Sequence, residues 1–171
     1  MDRPLFPADR VEPPDPDAAA ADTVAADVAR VRLRRRGIVP IEPDAMIGTM
    51  LAGDERVVAV RRSVSLERRR RRRDPDGGLS GDLYVTTRRL LYLGTVPAEY
   101  PILDVREAVA ASGVLRLVVG DGRGVEIGVR DPRVLRVEIG AVREAARHAS
   151  RAEAEAARDA AGDATRDQRS S

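Results

Sequence analysis

One stretch restricts the fold more than any other: Gly81 to Gly94, reading G-D-L-Y-V-T-T-R-R-L-L-Y-L-G. Leu83 and Val85 fall on one side of an extended chain and Tyr84 and Thr86 on the other, the period-two signal of a half-buried strand. After a turn at Thr87 and Arg88, the run Leu90-Leu91-Tyr92-Leu93 is apolar on both faces and reads as a core strand. A parallel pair needs a crossover of about a dozen residues, and the two runs lie too close for one. They are expected to form an antiparallel hairpin.

The sequence around this hairpin continues in the same style. Val57, Val58 and Val60, then Val64 and Leu66, suit a long first strand over Asp54 to Leu66. Asp74-Pro75-Asp76-Gly77-Gly78 marks a flexible turn ahead of the hairpin. Beyond it, Val96 to Glu99 reads as a turn and Tyr100 to Leu103 as a short edge strand, because Pro101 cannot donate to a ladder. Ala108 to Ala111 is a weak strand. Val114 to Val119 and Val125 to Val129 are strong ones, separated by Gly120-Asp121-Gly122-Arg123-Gly124. That glycine-rich turn is followed by a strand, whereas a phosphate-cradling loop leads into a helix, so it reads as a hairpin turn. Asp131-Pro132 is a helix start. The stripe Leu135, Ile139, Val142, Ala145 or Ala146, and Ala149 then follows the 3.6-residue period. Past Ser150 the sequence stays helical but polar all round, and a disordered tail is expected by Gly162.

Upstream, residues 1–21 are rich in Pro, Asp and Ala, and disorder is expected there. Asp22 to Arg36 reads as a basic helix capped by Asp22 or Thr23 and ended by Gly37. Val24, Val28 and Val31 form its stripe, with Arg30, Arg32, Arg34, Arg35 and Arg36 in its C-terminal half. A valine-only stripe is a poor bilayer anchor, so packing of this helix on the domain is favoured over membrane contact. A short helix over Asp44 to Leu51, with Met46, Ile47, Met50 and Leu51 on one face, is expected to plug one end of the domain. The organisation expected is thus a disordered tail over 1–21, a basic amphipathic helix over 22–37, a β-domain over 38–150, and a polar helical extension with a disordered tail over 151–171. The fold class is mainly β (α+β): a small, partly open antiparallel β-barrel capped by a C-terminal α-helix.

The run G-D-L-Y-V-T-T-R-R-L-L-Y-L-G resembles the signature of the GRAM and bacterial PH-like domains, in which G-x-L-Y-x-T-N-R-R-L forms a central hairpin. The succession P-I-L-D-V, V-L-R-L-V-V-G, a tight turn, G-V-E-I-G-V and a helix follows the same family pattern, so the similarity covers about Met46 to Ala149. The resemblance implies a PH-like superfold in a non-catalytic module that binds phosphoinositides, other lipids, peptides or proteins. Where the family carries Asn this chain has Thr87, and a β-branched residue does not tolerate the positive φ of a tight turn. A hairpin loop that is strained, or of another type, is expected there.

Composition narrows the chemistry. The 171 residues contain no Cys and one His, His148, which excludes disulfides, thiol nucleophiles and multi-histidine or cysteine metal sites. No Ser–acid pair can be matched to His148 by spacing. Neither catalysis nor a cofactor is expected. Aromatic residues are 2%, namely Phe6, Tyr84, Tyr92 and Tyr100, too few for a base-stacking platform. The N-terminus lacks the apolar stretch of a secretory signal and no segment is long and apolar enough to span a bilayer, so the expected location is the cytoplasm, with peripheral attachment to the inner face of the cell membrane.

The net charge of +2 hides one local concentration: six of the 30 basic residues are Arg68, Arg69, Arg70, Arg71, Arg72 and Arg73. Without them 24 basic residues would face 28 acidic ones. Such a run on a balanced chain points to a localised anionic contact. The guanidinium fork suits phosphate oxygens. By the PH-like resemblance the run sits in the loop between the first two strands, the loop that grips phosphates in lipid-binding relatives, with Arg61 and Arg62 expected to help. Anionic phospholipid headgroups are the leading partner and an acidic protein surface the alternative. The bland reading is a solvated loop, partly neutralised by Glu67, Asp74 and Asp76. Nucleic acid is a distant third, since no aromatic interleaving or recognition helix accompanies the run. Arg88 and Arg89 are expected to be structural, one facing solvent and the other paired with a carboxylate.

Overall fold

The computed structural model describes residues 16–68, 79–111, 113–120 and 122–167. Seven strands occupy its centre: β1 (Val57–Arg68), β2 (Leu79–Thr86), β3 (Arg89–Gly94), β4 (Ala98–Pro101), β5 (Val105–Ala111), β6 (Val114–Val119) and β7 (Arg123–Gly128). They form one antiparallel sheet in the order β4-β3-β2-β1-β7-β6-β5. Its two outer strands are neighbours in sequence, joined by a 3-10 turn at Ile102–Asp104. The sheet stays open there. Helix α3 (Pro132–Asp167) packs on β5, β6 and the 3-10 turn, and Arg143 Nη1 ties it to the Val105 and Arg106 carbonyls at 2.7 and 3.0 Å.

The alternation read in the hairpin is realised on both faces. Leu83, Val85, Leu90 and Tyr92 point inward and join Leu115, Leu117, Val125 and Ile127, together with Leu135, Ile139 and Val142 of α3. Each fully buried side chain of this kind contributes about 1.5–3 kcal/mol. Tyr84 and Leu91 point outward, yet they are also buried, with Ile47 and Val57. Helix α2 (Ala45–Met50) covers them, which is why β3 can be apolar on both sides. This differs from the expected plug at one end of the domain. Ile47 and the half-buried Leu51 dock on the outer face, while Met46 and Met50 stay exposed.

Two backbone features depend on residue type. Gly81 and Gly94 face each other across the hairpin, and a Cβ on Gly94 would sit 2.5 Å from Tyr92 Oη, so only glycine leaves room for that ring. In β1 the register slips between Arg61 and Val64, and Ser63 adopts φ 54°. This is a β-bulge held by a non-glycine residue in the left-handed region. Asp82 stabilises it by accepting the Ser63 N–H at 3.1 Å.

Helix α1 (Pro16–Arg36) lies against α3. It starts six residues before the expected Asp22, so part of the expected disordered segment 1–21 is helical; residues 1–15 lie outside the described residues. Asp22 is buried within α1 rather than at its start. Its carboxylate accepts the Arg133 N–H at 3.0 Å and the Val134 N–H at 3.3 Å, so one helix caps the other. Asp131 was the expected cap of α3, and its carboxylate turns instead to Arg61. The packed face of α1 is Asp22, Ala26, Ala29 and the half-buried Leu33, and the valine stripe faces outward. Small alanines allow close helix approach, and the larger valines are left on the far side.

Downstream, pairing with β3 begins already at Ala98, and residues 102–104 curl into the 3-10 turn rather than continuing as strand. The weak strand read at Ala108 extends back to Val105 and pairs with β6, with a register shift between Val105 and Glu107. Helix α3 passes Gly162 and reaches Asp167.

Candidate anion-contact site

Arg68 ends β1 opposite Val125, and Leu79 opens β2 opposite Leu66. The arginine run therefore falls on the connection between two central strands, as read from the sequence. Arg69, Arg70, Arg71, Arg72 and Arg73 lie outside the described residues. Register places two further turns at the same end of the sheet. Gly81 pairs with Gly94, bringing turn 95–97 beside the start of β2, and Val119 pairs with Arg123, bringing turn 120–122 beside the end of β1. Val96 and Arg123 are exposed on that rim.

Arg61 and Arg62 are placed differently from the rim. Arg61 is turned inward with its side chain 15% exposed. Its Nε and Nη2 hold the two Asp131 oxygens at 2.9 and 2.8 Å, and Nη2 also reaches Glu138 at 2.9 Å. Burial pushes the Glu138 carboxyl up, and Arg61 and Arg32 oppose that shift. With two carboxylates already on it, Arg61 joins the sheet to α3 rather than offering a fork to an outside phosphate. Arg62 is exposed, but it donates to Asp82 at 2.5 Å and to Tyr84 Oη at 2.8 Å, and stacks over the Tyr84 ring at 5.4 Å. Asp82 raises the Arg62 pKa. Asp44 receives Tyr84 O–H at 3.2 Å and caps α2 through the Ile47 N–H, a bond that holds its carboxyl below the ordinary range. Arg62 thus locks the bulge and the base of α2. Glu138 was a legible signal, because a carboxylate between Leu135 and Ile139 on a core-facing stripe needs a buried cation. Asp82, inside the hairpin signature, carried no such mark.

The signature's polar residues build a second network. Glu55, 1% exposed, accepts from the Thr86 hydroxyl at 2.6 Å, from Ala52 N–H at 3.0 Å and from Arg89 at 3.1 and 3.2 Å. Arg89 also donates to Glu99 and to the Met50 carbonyl. Arg88 is exposed and pairs with Asp54. One arginine in solvent and one on a buried carboxylate is the arrangement expected. Thr86 Oγ1 accepts the Arg88 and Arg89 N–H groups, closing the turn through a side chain. Thr87 has no positive φ; it bonds Arg56 in both directions, through its N–H at 2.9 Å and its hydroxyl oxygen at 3.1 Å. The turn is therefore of another type and free of the strain considered for it.

His148 is exposed and paired with Glu144 at 2.9 Å. Among the described residues no group of three or more acids and histidines is placed to hold a metal, and no helix is long and apolar enough to cross a membrane.

No protein-family model matches the chain, and no curated protein matches it. The GRAM affiliation rests on the sequence resemblance alone. Among solved structures, the chain is similar to one described as the Vps36 N-terminal PH domain, at 16% identity and a TM-score of 0.42, over 57% of this chain and 83% of that one. The open seven-stranded antiparallel sheet with its C-terminal helix is the architecture expected from the sequence.

Proposed function

We propose that the chain is a non-catalytic PH-like binding or adaptor module that contacts anionic phospholipid through Arg68, Arg69, Arg70, Arg71, Arg72 and Arg73. The observation that carries this reading is position. The most concentrated positive charge in the sequence falls between the end of β1 and the start of β2, and those two strand ends lie beside two other turns, which supports the reading. Near an anionic bilayer each arginine is worth about 1 kcal/mol, so six supply several kcal/mol at low salt. That suffices for reversible binding without an embedded segment. Arg61 and Arg62 are left out of the contact and given the role of holding the bulge and helix beneath it. Peripheral attachment at the inner face of the cell membrane follows from the same chemistry.

The test is co-sedimentation with vesicles of phosphatidylcholine with and without phosphatidylserine. The anionic vesicles should retain the protein, retention should fall with salt, and Arg68–Arg73→Ser should abolish it. Equal retention on both vesicle types contradicts the proposal. A second reading, a protein-interaction module, is supported by the open sheet, whose outer strand β5 pairs with no second strand among the described residues and exposes Val109. Capture of a partner unaffected by the arginine replacement would favour it.

A further inference from the structure

Strand β5 is the last strand of the sheet, and it pairs only with β6 among the described residues. In an antiparallel pair every second residue turns its N–H and C=O away from the neighbouring strand. Strand β5 therefore presents backbone donors and acceptors along its outer edge. Arg143 of α3 bonds the Val105 and Arg106 carbonyls, which closes the edge at its start and leaves it open from Glu107 to Ala111. Arg136, Gly140, Arg143, Arg147 and Arg151 follow one another along α3 at spacings of four and three residues, so they form one line. Because Arg143 touches β5, that line borders β5, whereas Glu138 on the other flank reaches Arg61 of β1. Arg136, Arg147 and Arg151 are exposed, and among the described residues no ion pair or side-chain hydrogen bond engages them. The neighbouring acids leave the line charged. Asp104 forms no ion pair among the described residues, Glu144 pairs with His148, and Glu107 lies on the sheet face opposite the inward Ala108 and Ala110. The space beside Gly140 is open, since a Cβ there would meet nothing within 4 Å.

Backbone and charge together decide among occupants. A phosphate offers acceptors only and is repelled by the carbonyls of the edge, so a lipid headgroup or a nucleic acid gains nothing from β5. A second peptide backbone satisfies both its donors and its acceptors. The side chains of such a strand alternate between two faces, so every second one meets the arginines of α3. Residues 107–111 extend over roughly 17 Å, and the rise from Arg136 to Arg147 is also roughly 17 Å. We infer that the open edge of β5 and the arginine line of α3 form a docking site for an extended acidic peptide of a partner protein. The peptide adds as a strand at residues 107–111 and sets carboxylates at alternate positions on Arg136, Arg147 and Arg151. The inference rests on the second reading above, gives it a partner chemistry, and uses none of the residues of the lipid contact.

The probe is a fluorescein-labelled decapeptide of alternating Glu and Thr, titrated into the full 15N-labelled chain. Its controls are a decapeptide of alternating Lys and Thr, and a peptoid with the Glu–Thr side chains, which keeps the charge but has no backbone N–H. The Glu–Thr peptide should bind and should shift the amide signals of residues 107–111 most. The Lys–Thr peptide should not bind, and the peptoid should bind about tenfold more weakly. Arg136→Ser, Arg147→Ser and Arg151→Ser together should weaken the Glu–Thr peptide about tenfold. These three arginines are exposed, so the variant should melt with the parent chain and should still pellet with anionic vesicles. Equal affinity for peptide and peptoid means that charge alone acts, and overturns the inference. Shifts confined to Glu67, Arg68 and Leu79 that vanish in Arg68–Arg73→Ser assign the peptide to the arginine run; they overturn it too and leave the lipid reading standing. Absence of binding at millimolar Glu–Thr peptide also overturns it, whatever the vesicles show.

Discussion

At the scale of single residues, the polar side chains of the hairpin signature bond to other parts of the fold. Burial pushes the Glu55 carboxyl up, but the bonds from Thr86, the Ala52 N–H and Arg89 outweigh it, so its folded pKa lies below the ordinary 4.5. A depressed folded pKa contributes stability above the unfolded value and loses it as pH falls through the folded one. Glu55→Gln should therefore destabilise by about 1–3 kcal/mol at neutral pH. The gap to the parent chain should narrow as pH drops below 4.5, read from urea midpoints across the acid range. Tyr100 presents the opposite case, a buried hydroxyl with no hydrogen-bond partner among the described residues. Tyr100→Phe removes a desolvated polar group at no cost in packing, so thermal melting should show unchanged or slightly raised stability. Gly94→Ala should cost about 1–3 kcal/mol in the same measurement, because the new methyl meets the Tyr92 ring.

Between elements, the decisive contact is the α1–α3 cap. Asp22→Ala strips two N–H groups at the start of α3 of their acceptor and should cost about 0.5–2 kcal/mol. Amide exchange should rise along α1 and the first turn of α3 and stay unchanged in β2 and β3; uniform change across the sheet would refute this placement. This contact also marks the limit of sequence reading. Local patterns reveal local structure: Leu83 to Leu93 alternates as read, Pro132 starts its helix, and Leu135, Ile139 and Val142 face the core. Which side of α1 is buried depends on what it meets. Valine is more apolar than alanine, so composition favours burying the Val24 line, whereas close approach to α3 requires the small Ala26 and Ala29. Likewise Asp22 and Asp131 look like caps of their own helices, and only the tertiary arrangement redirects one to α3 and the other to Arg61. The same holds for the candidate site. The position of the Arg68 end of β1 was legible from strand order, but the diversion of Arg61 and Arg62 to Asp131, Glu138 and Asp82 was not, because those partners lie far away in sequence.

For the whole molecule, the open sheet, the α3 cover and the two turns beside the Arg68 end of β1 frame the proposed contact. On the proposed reading, the arginine run between β1 and β2 is what lets a chain with nearly balanced charge contact an anionic surface. The claim is local, so a local reading tests it best: amide perturbations in a 15N-labelled full chain on addition of nanodiscs containing phosphatidylserine. The largest changes should fall at Glu67, Arg68, Leu79 and Ser80, with weaker ones at Val96 and Arg123, and vanish in Arg68–Arg73→Ser. Perturbations confined to the edge of β5, or equal effects from nanodiscs of phosphatidylcholine alone, would contradict the account.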